Sequence, residues 1–391
     1  MNDIPPDGRL AALLREPALR AALAAVAAED AATLADMRAV TAIPAPWRGE
    51  AARAAWLADR LAAAGVPHVR MDAAGNVLAG APAGHEDAAI MLAAHLDTVF
   101  PADVDVRVRD CGDRLCAPGI GDNSRGIAAL VRTAAVLQRH PLPTRTVLYA
   151  GTVGEEGAGD LHGVKHLFEA QALRPRAFIA VDGAGLERVV HRAVGSRRLR
   201  VSVTGPGGHS WADRERPNPV HALAGALAAL ETERRSLGPA SALHTGRIGG
   251  GTSVNAIPER AWLELDLRSE DPAEVARLEA RARAAFEAAV PPPLRLTIEC
   301  MGDRPGGATP ASDPLVRAAA AATAHLGVEP ELVSGSTDAN VPMARGVPAI
   351  SLGAGGTAAG MHTLEEWYCN ERGAAGIQRL LLTLALLDSL R

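Results

Sequence analysis

Five short stretches of this sequence carry histidine or carboxylate side chains, four of them following apolar runs. His95-Leu96-Asp97 closes the run Ile90 to Ala94. Residues two apart share a face in extended backbone, so Asp97 can orient the imidazole of His95 while the other ring nitrogen binds a metal. Gly119-Ile120-Gly121-Asp122-Asn123-Ser124 presents an acid between glycines at the start of a helix; helix N-capping by Asp122 or Ser124 is the plain alternative. Thr146 to Val153 runs into Gly154-Glu155-Glu156-Gly157. Two adjacent acids there project differently, so one can ligate a metal while its neighbour handles protons. Ala177 to Val181 ends in Asp182-Gly183, and Gly360-Met361-His362-Thr363 follows the run Val347 to Leu352. Each motif alone is ordinary. Together they offer two imidazoles and three carboxylates with no thiolate, a donor set for two borderline divalent ions such as zinc, cobalt or manganese. Two dications and a bridging hydroxide balance Asp122, Glu156 and Asp182, leaving Glu155 free to move a proton.

The surrounding elements explain how such distant motifs could meet. From Leu10 to about Ala64 apolar residues recur at helical spacing, and Pro44 and Pro46 break the run, predicting three opening helices. Strand-length runs that are apolar throughout, separated by helical segments such as Ile127 to Ala134, predict a sheet covered on both faces. Such sheets place sites at their strand ends. The pattern changes near residue 192. Arg198 to Thr204 alternates, with Leu199, Val201 and Val203 on one face, as an antiparallel strand with one wet face requires. A helix through Leu223 and Leu230, an extended stretch Ala242 to Ile248, a strand Ala261 to Arg268, a helix through Leu278 and Phe286 and a strand Leu294 to Cys300 follow. The order β-α-β-β-α-β is that of a ferredoxin-like domain. The expected division is a catalytic domain at 1–191 and 308–391 with an inserted domain at 192–307.

Composition narrows the function. The chain has 391 residues, 48% of them hydrophobic, and a formal charge of −5, so no basic field exists to hold nucleic acid. Five Trp, two Tyr and four Phe leave few platforms for base stacking. Lys165 is the sole lysine, so Schiff-base or P-loop chemistry would rest on it alone. Cys111, Cys116, Cys300 and Cys369 are too scattered for a disulfide framework and are expected to be buried free thiols. Arg15, Glu16, Arg20 and Glu29 interrupt the opening Ala/Leu run, so neither a signal segment nor a membrane span is expected and the reading is cytoplasmic.

In these motifs and their order the sequence resembles the co-catalytic zinc exopeptidases and deacylases. That family includes peptidase T, bacterial dipeptidases, carnosinases, aminoacylase, acetylornithine deacetylase, succinyl-diaminopimelate desuccinylase and the folate-cleaving glutamate carboxypeptidase. The resemblance spans nearly the whole chain. It implies a zinc-exopeptidase-like α/β fold, a mixed sheet covered by helices, with an inserted ferredoxin-like α+β domain serving as lid and dimerisation surface. Asp122 would bridge two ions, with His95 and Asp182 completing one site and Glu156 and His362 the other. Asp97 would hold His95, and Glu155 would be general base and then acid. A cis peptide would follow the bridging aspartate, at Asp122-Asn123. His209, in Gly205-Pro206-Gly207-Gly208-His209-Ser210, would supply an oxyanion donor across a homodimer interface. Asn255 and Arg268 would grip the substrate. Asp at position 182, where deacylases and carboxypeptidases of the family tend to carry Glu, points to a di- or tripeptidase; an N-acyl-amino-acid deacylase is the alternative.

Two readings come from other classes. A non-catalytic binding protein retaining the fold predicts loss of a ligand or of the base, and none is missing. A nucleotide-binding oxidoreductase would use Gly119 to Ser124, against which Pro118 and the lack of an apolar strand just before it argue.

Overall fold

The computed structural model describes residues 6–142 and 146–389, which divide into two compact units, 1–193 with 308–391 and 194–307. In the first unit the strands Val147–Thr152, Ile90–His95, Ala177–Val181 and Ala349–Leu352 lie side by side in parallel. All are buried along their length. Successive residues serve opposite cores: Ile90, Leu92 and Ala94 join Ile127, Leu130 and Leu384 on one face, whereas Met91 and Ala93 join Val164, Leu167 and Phe168 on the other. This two-sided burial is why these strands read as continuous apolar runs. The mixed sheet gains its antiparallel members at Val77–Ala79 and Arg188–Ala193.

The opening stretch forms four helices, Pro6–Leu13, Pro17–Ala28, Asp30–Thr41 and Ala51–Ala63, one more than the periodicity predicts. Pro17 starts a new helix at its first turn, where a missing N–H costs nothing. The cysteines also differ from expectation. Cys111 and Cys116 form a disulfide across the hairpin Arg109–Cys111 and Arg114–Cys116; Cys300 is exposed and Cys369 half-buried. All four sit on strands with a wet face rather than in the cores.

The unit 194–307 pairs its strands in the order Ser241–Gly250, Arg260–Ser269, Gly195–Thr204 and Arg295–Arg304, all antiparallel. Helices Pro219–Ser236 and Pro272–Ala289 cover one face, burying Leu223, Leu230, Leu278 and Phe286 against Leu199, Val201, Val203, Leu263 and Leu265. Each helix opens on a capping side chain followed by proline: Asn218 accepts from Val220 N–H and Asp271 from Ala273 N–H. No helix among the described residues is long and apolar enough to cross a membrane.

Candidate metal centre

Parallel register brings the predicted motifs to one edge of the sheet. His95 lies opposite Thr152, and Val181 opposite Leu352, so the chain leaving each strand emerges on the same side. Asp97 follows one strand, Glu155 and Glu156 another, and Asp182 a third. His362 arrives differently. It occupies the loop between Thr357–Ala359 and Trp367–Cys369, and Trp367 pairs with Cys116 just before the turn that carries Asp122. The His362 backbone is left-handed, with φ +64°, an uncommon conformation for a residue other than glycine.

Asp122 divides its two oxygens between two groups of donors. Its Oδ1 lies 2.9 Å from His95 Nε2, which is 3.7 Å from Asp182 Oδ1. Its Oδ2 lies 3.1 Å from His362 Nε2, which is 2.8 Å from Glu156 Oε1. Within each triad the donor atoms fall inside 4.8 Å of one another. Glu155 offers a carboxylate oxygen within the same span of His95 and Glu156, so it stands beside both groups. Two imidazole nitrogens and three carboxylates, arranged as two triads around one shared aspartate, fit a pair of divalent cations of the zinc, cobalt and manganese kind.

The triads are held by side chains that do not belong to them. Asp97 is fully buried; its Oδ1 and Oδ2 accept from the backbone N–H groups of Glu155 (2.9 Å) and Glu156 (2.8 Å). His95 Nδ1 lies 3.2 Å from the Asp97 carbonyl oxygen and 3.5 Å from its carboxylate, which turns Nε2 toward Asp122. Gly154, at φ +64°, makes the turn into Glu155; a Cβ there would strike the Trp47 ring.

Three residues unassigned from sequence prove structural to the site. Glu366, fully buried, accepts from the backbone N–H groups of Gly119 (2.7 Å), Gly121 (2.8 Å) and Asp122 (3.0 Å). Asn123 donates from Nδ2 to the Val181 carbonyl (2.9 Å) and accepts at Oδ1 from Gly126 and Gly183 (3.1 Å each). It thereby ties the Asp122 turn to the strand end bearing Asp182, and it, rather than Asp122 or Ser124, accepts from the N–H that opens the helix Gly126–Arg139. Ser124 instead donates to the Gly119 carbonyl. The Asp122-Asn123 peptide is cis. Asp338, buried behind the strand ends, accepts from Thr152 Oγ1, and burial pushes its carboxyl up to about 6.

Glu366 also disposes of the dinucleotide reading. A phosphate at Gly119 to Ser124 would need the backbone N–H groups that this carboxylate already occupies. Replacing Glu366 by glutamine sets an amide group against one of these donors. Metal affinity is expected to fall roughly 10- to 100-fold, as for other residues that orient ligands, with a lower Tm in the metal-free protein. Chelator competition and thermal unfolding read the two effects, and unchanged values in both would remove Glu366 from this role.

Electrostatics agree with the geometry. The carboxylates of Asp122 and Glu156 push the His362 pKa up to about 10 from its ordinary 6.5. Burial opposes charge on His95, but hydrogen bonds to Asp122, Asp182 and Asp97 outweigh it and hold that pKa well above the ordinary value. Without metal, both imidazoles keep their proton at pH 7. The His362 contribution to metal-free stability is therefore fully present below about pH 6.5 and lost as pH rises through about 10. A cation must displace these protons, so uptake at pH 7 is expected to release protons and to tighten as pH rises. Calorimetric titration in buffers of different ionisation enthalpy counts them; uptake without release would exclude the histidines as ligands.

The unit 194–307 carries the remaining predicted residues. The short strand Gly208–His209 pairs with Ala256–Ile257, and Ser210 N–H donates to the Asn255 carbonyl, so His209 and Asn255 share one exposed corner. His209 Nδ1 accepts from the N–H groups of Trp211 (3.1 Å) and Ala212 (3.4 Å), which makes Nε2 the protonated nitrogen and a donor. Arg268 lies apart from them on the strand Arg260–Ser269, its Nε donating to Asp266 at 2.6 Å.

Residues 91–385 match the profile of Peptidase family M20/M25/M40. The chain belongs to this family. As an M20 protein it is a metal-dependent hydrolase of the peptidase and amidohydrolase class. It is 25% identical over 290 residues to an uncharacterised protein of Bacillus subtilis, covering 72% of this chain and 77% of that one. It is 27% identical over 337 residues to a succinyl-diaminopimelate desuccinylase of Stenotrophomonas maltophilia, covering 79% and 87%. The fold matches that of a tripeptidase from Staphylococcus aureus with a TM-score of 0.77 at 21% identity, over 91% of this chain and 98% of that one.

Proposed function

We propose that this M20 chain is a two-metal exopeptidase acting on di- and tripeptides from the amino-terminal end. The observation that carries the reading is the division of the Asp122 oxygens between two histidine-carboxylate triads with Glu155 beside both. Bound divalent cations supply a Lewis acid for the scissile carbonyl and bring a water's pKa toward neutrality. His95 and Asp182 would hold one, Glu156 and His362 the other, and Asp122 both. Glu155, its backbone fixed by Asp97, takes a proton from the attacking water on a carboxylate oxygen and delivers it to the amine nitrogen that leaves. Asp97 keeps His95 in the tautomer whose Nε2 faces the ligand side. Asp rather than Glu at position 182 supports the peptidase over the deacylase.

The reading extends to a homodimer formed through the 194–307 unit. His209 of the partner subunit then donates its Nε2–H to the oxygen that gains charge, while Asn255 and Arg268 hold the substrate backbone and terminal carboxylate. What supports the donor role of His209 is the tautomer set by Trp211 N–H. The deacylase reading is kept because a desuccinylase is among the relatives.

The test is a panel of free di- and tripeptides beside N-acetyl and N-succinyl amino acids, with metal content measured on the same protein. Cleavage of the free peptides, abolished by a chelator and restored by zinc, cobalt or manganese, is expected. Activity confined to the acylated set moves the assignment to a deacylase. A metal-loaded protein that cleaves nothing is a binding protein on this fold.

A further inference from the structure

A cavity of about 250 Å³ opens beside the metal centre, lined among others by Asp122, Asp182, Arg188, Val190, Ser336 and Ser351. Every one of these residues lies in the unit that bears the candidate ligands. The volume is below that of a site for a drug-sized ligand and suits one side chain or a short acyl group. Two of its walls come from the strand Arg188–Ala193, where residues 188 and 190 share a face by alternation. Ser351 lies directly across from Val190 in the antiparallel pairing. The main-chain carbonyls of this wall are held from behind by Arg379, buried, which donates to Leu186, to Arg188 and, at 2.6 Å, to Gly353.

Arg188 is the cation of this cavity. Its guanidinium makes no ion pair or side-chain hydrogen bond among the described residues, although Glu331 is its neighbour across the parallel pairing with Glu331–Gly335. Arg139, Arg70 and Arg345 of the same unit are paired, with Glu29, Glu86 and Glu169. Arg268 in the other unit meets Asp266 through Nε, which leaves its Nη groups for the terminal carboxylate that the proposed function gives it. The acids that share the cavity, Asp122 and Asp182, are committed to the cation triads. A guanidinium left over in a small polar cavity next to the cleaved bond is a receptor for a planar anion, which it can bind through two parallel N–H donors.

We propose that Arg188 makes this cavity a carboxylate subsite, so that the preferred substrates carry a carboxylate on the acyl side of the scissile amide. This rests on the hydrolase reading and deepens it. The acyl side is assigned because that reading gives the terminal carboxylate on the other side to Arg268. An acidic first residue of a peptide and a dicarboxylic N-acyl group present the same chemistry, and substrate pairs tell them apart.

The experiment compares aspartyl-alanine with asparaginyl-alanine, and N-succinylalanine with N-acetylalanine, in the metal-loaded wild-type enzyme and in Arg188→Gln and Arg188→Lys. Arg188 is exposed, so its replacement leaves the core intact. In the wild type, the carboxylate-bearing member of at least one pair is expected to have the higher kcat/KM by roughly 10- to 100-fold, the range of a charged hydrogen bond. Arg188→Gln is expected to erase that preference through KM while leaving the neutral member unchanged, with Arg188→Lys in between. The pair that responds identifies the source of the carboxylate. Equal rates within both pairs in the wild type overturn the subsite and leave the hydrolase reading standing. So does a preference that survives Arg188→Gln. A loss of equal size on all four substrates also overturns it, since all carry the terminal carboxylate. Cleavage of none of the four, or of any free peptide, fails the hydrolase reading itself.

Discussion

Glu155→Gln is expected to lower kcat by roughly 10² to 10⁴-fold, the contribution typical of a positioned general base, with KM and metal content nearly unchanged. The glutamine occupies the same volume and preserves the backbone N–H that donates to Asp97, so the surrounding turn is retained. What is lost is the ability to take a proton. Glu155 is 5% exposed and lies within reach of donors from both triads, a position from which one carboxylate can serve the attacking water and the leaving nitrogen in turn. Steady-state kinetics with metal analysis on the same preparation separates this from ligand loss. A variant that turns over at the wild-type rate would assign the proton transfer to another group. A variant that loses metal would make Glu155 a ligand.

Replacement of Asp97 is expected to damage stability, metal binding and catalysis together. Asp97→Ala leaves the N–H groups of Glu155 and Glu156 without their acceptors in a buried place, at about 1–3 kcal/mol for each, and leaves His95 Nδ1 with the main-chain carbonyl of residue 97 but without the carboxylate. Metal affinity is expected to fall a further 10- to 100-fold. Asp97→Asn keeps the shape and one acceptor oxygen but sets an NH2 group against one of the two donors, so its losses should be intermediate. Thermal unfolding with and without metal, chelator competition and kcat read the three effects. The sign with pH is also fixed. Burial raises the Asp97 pKa, yet His95 and the two backbone donors outweigh it and hold it below the ordinary value of 3.8. Its contribution to stability is present above that value and lost as pH falls through the lowered one. If Asp97→Ala keeps both Tm and metal, Asp97 is not the hub of the site.

How the site could be read from sequence follows from how it is built. His95 ends a strand buried on both faces, and Asp182, Glu155 and Glu156 follow within a few residues of two others, so polar residues there break an apolar run and stand out. Glu366 and Asn123 lack that contrast. Glu366 sits in an acidic stretch beside Glu365, and its three hydrogen bonds reach residues some 245 positions away, a separation over which no periodicity operates. Asn123 was visible only as the neighbour of Asp122; its role depends on reaching Val181 and Gly183 at once. The polar triplet Ser336-Thr337-Asp338 reads as a turn, and only burial distinguishes Asp338 from its neighbours. The same limit applies to the cysteines, where pairing of Cys111 with Cys116 depends on a hairpin whose strands are three residues long. The inserted unit was legible because its alternation has period two on one face and its helices open on Asn-Pro and Asp-Pro.

The spread of the donors along the chain has a consequence for biosynthesis. His95 emerges from the ribosome early, but the second triad waits for His362, and the anchor of the shared aspartate waits for Glu366. A nascent fragment ending before His362 lacks a donor of the second triad, and one ending before Glu366 lacks the anchor of the shared aspartate, so the full donor set exists only when the chain is nearly complete.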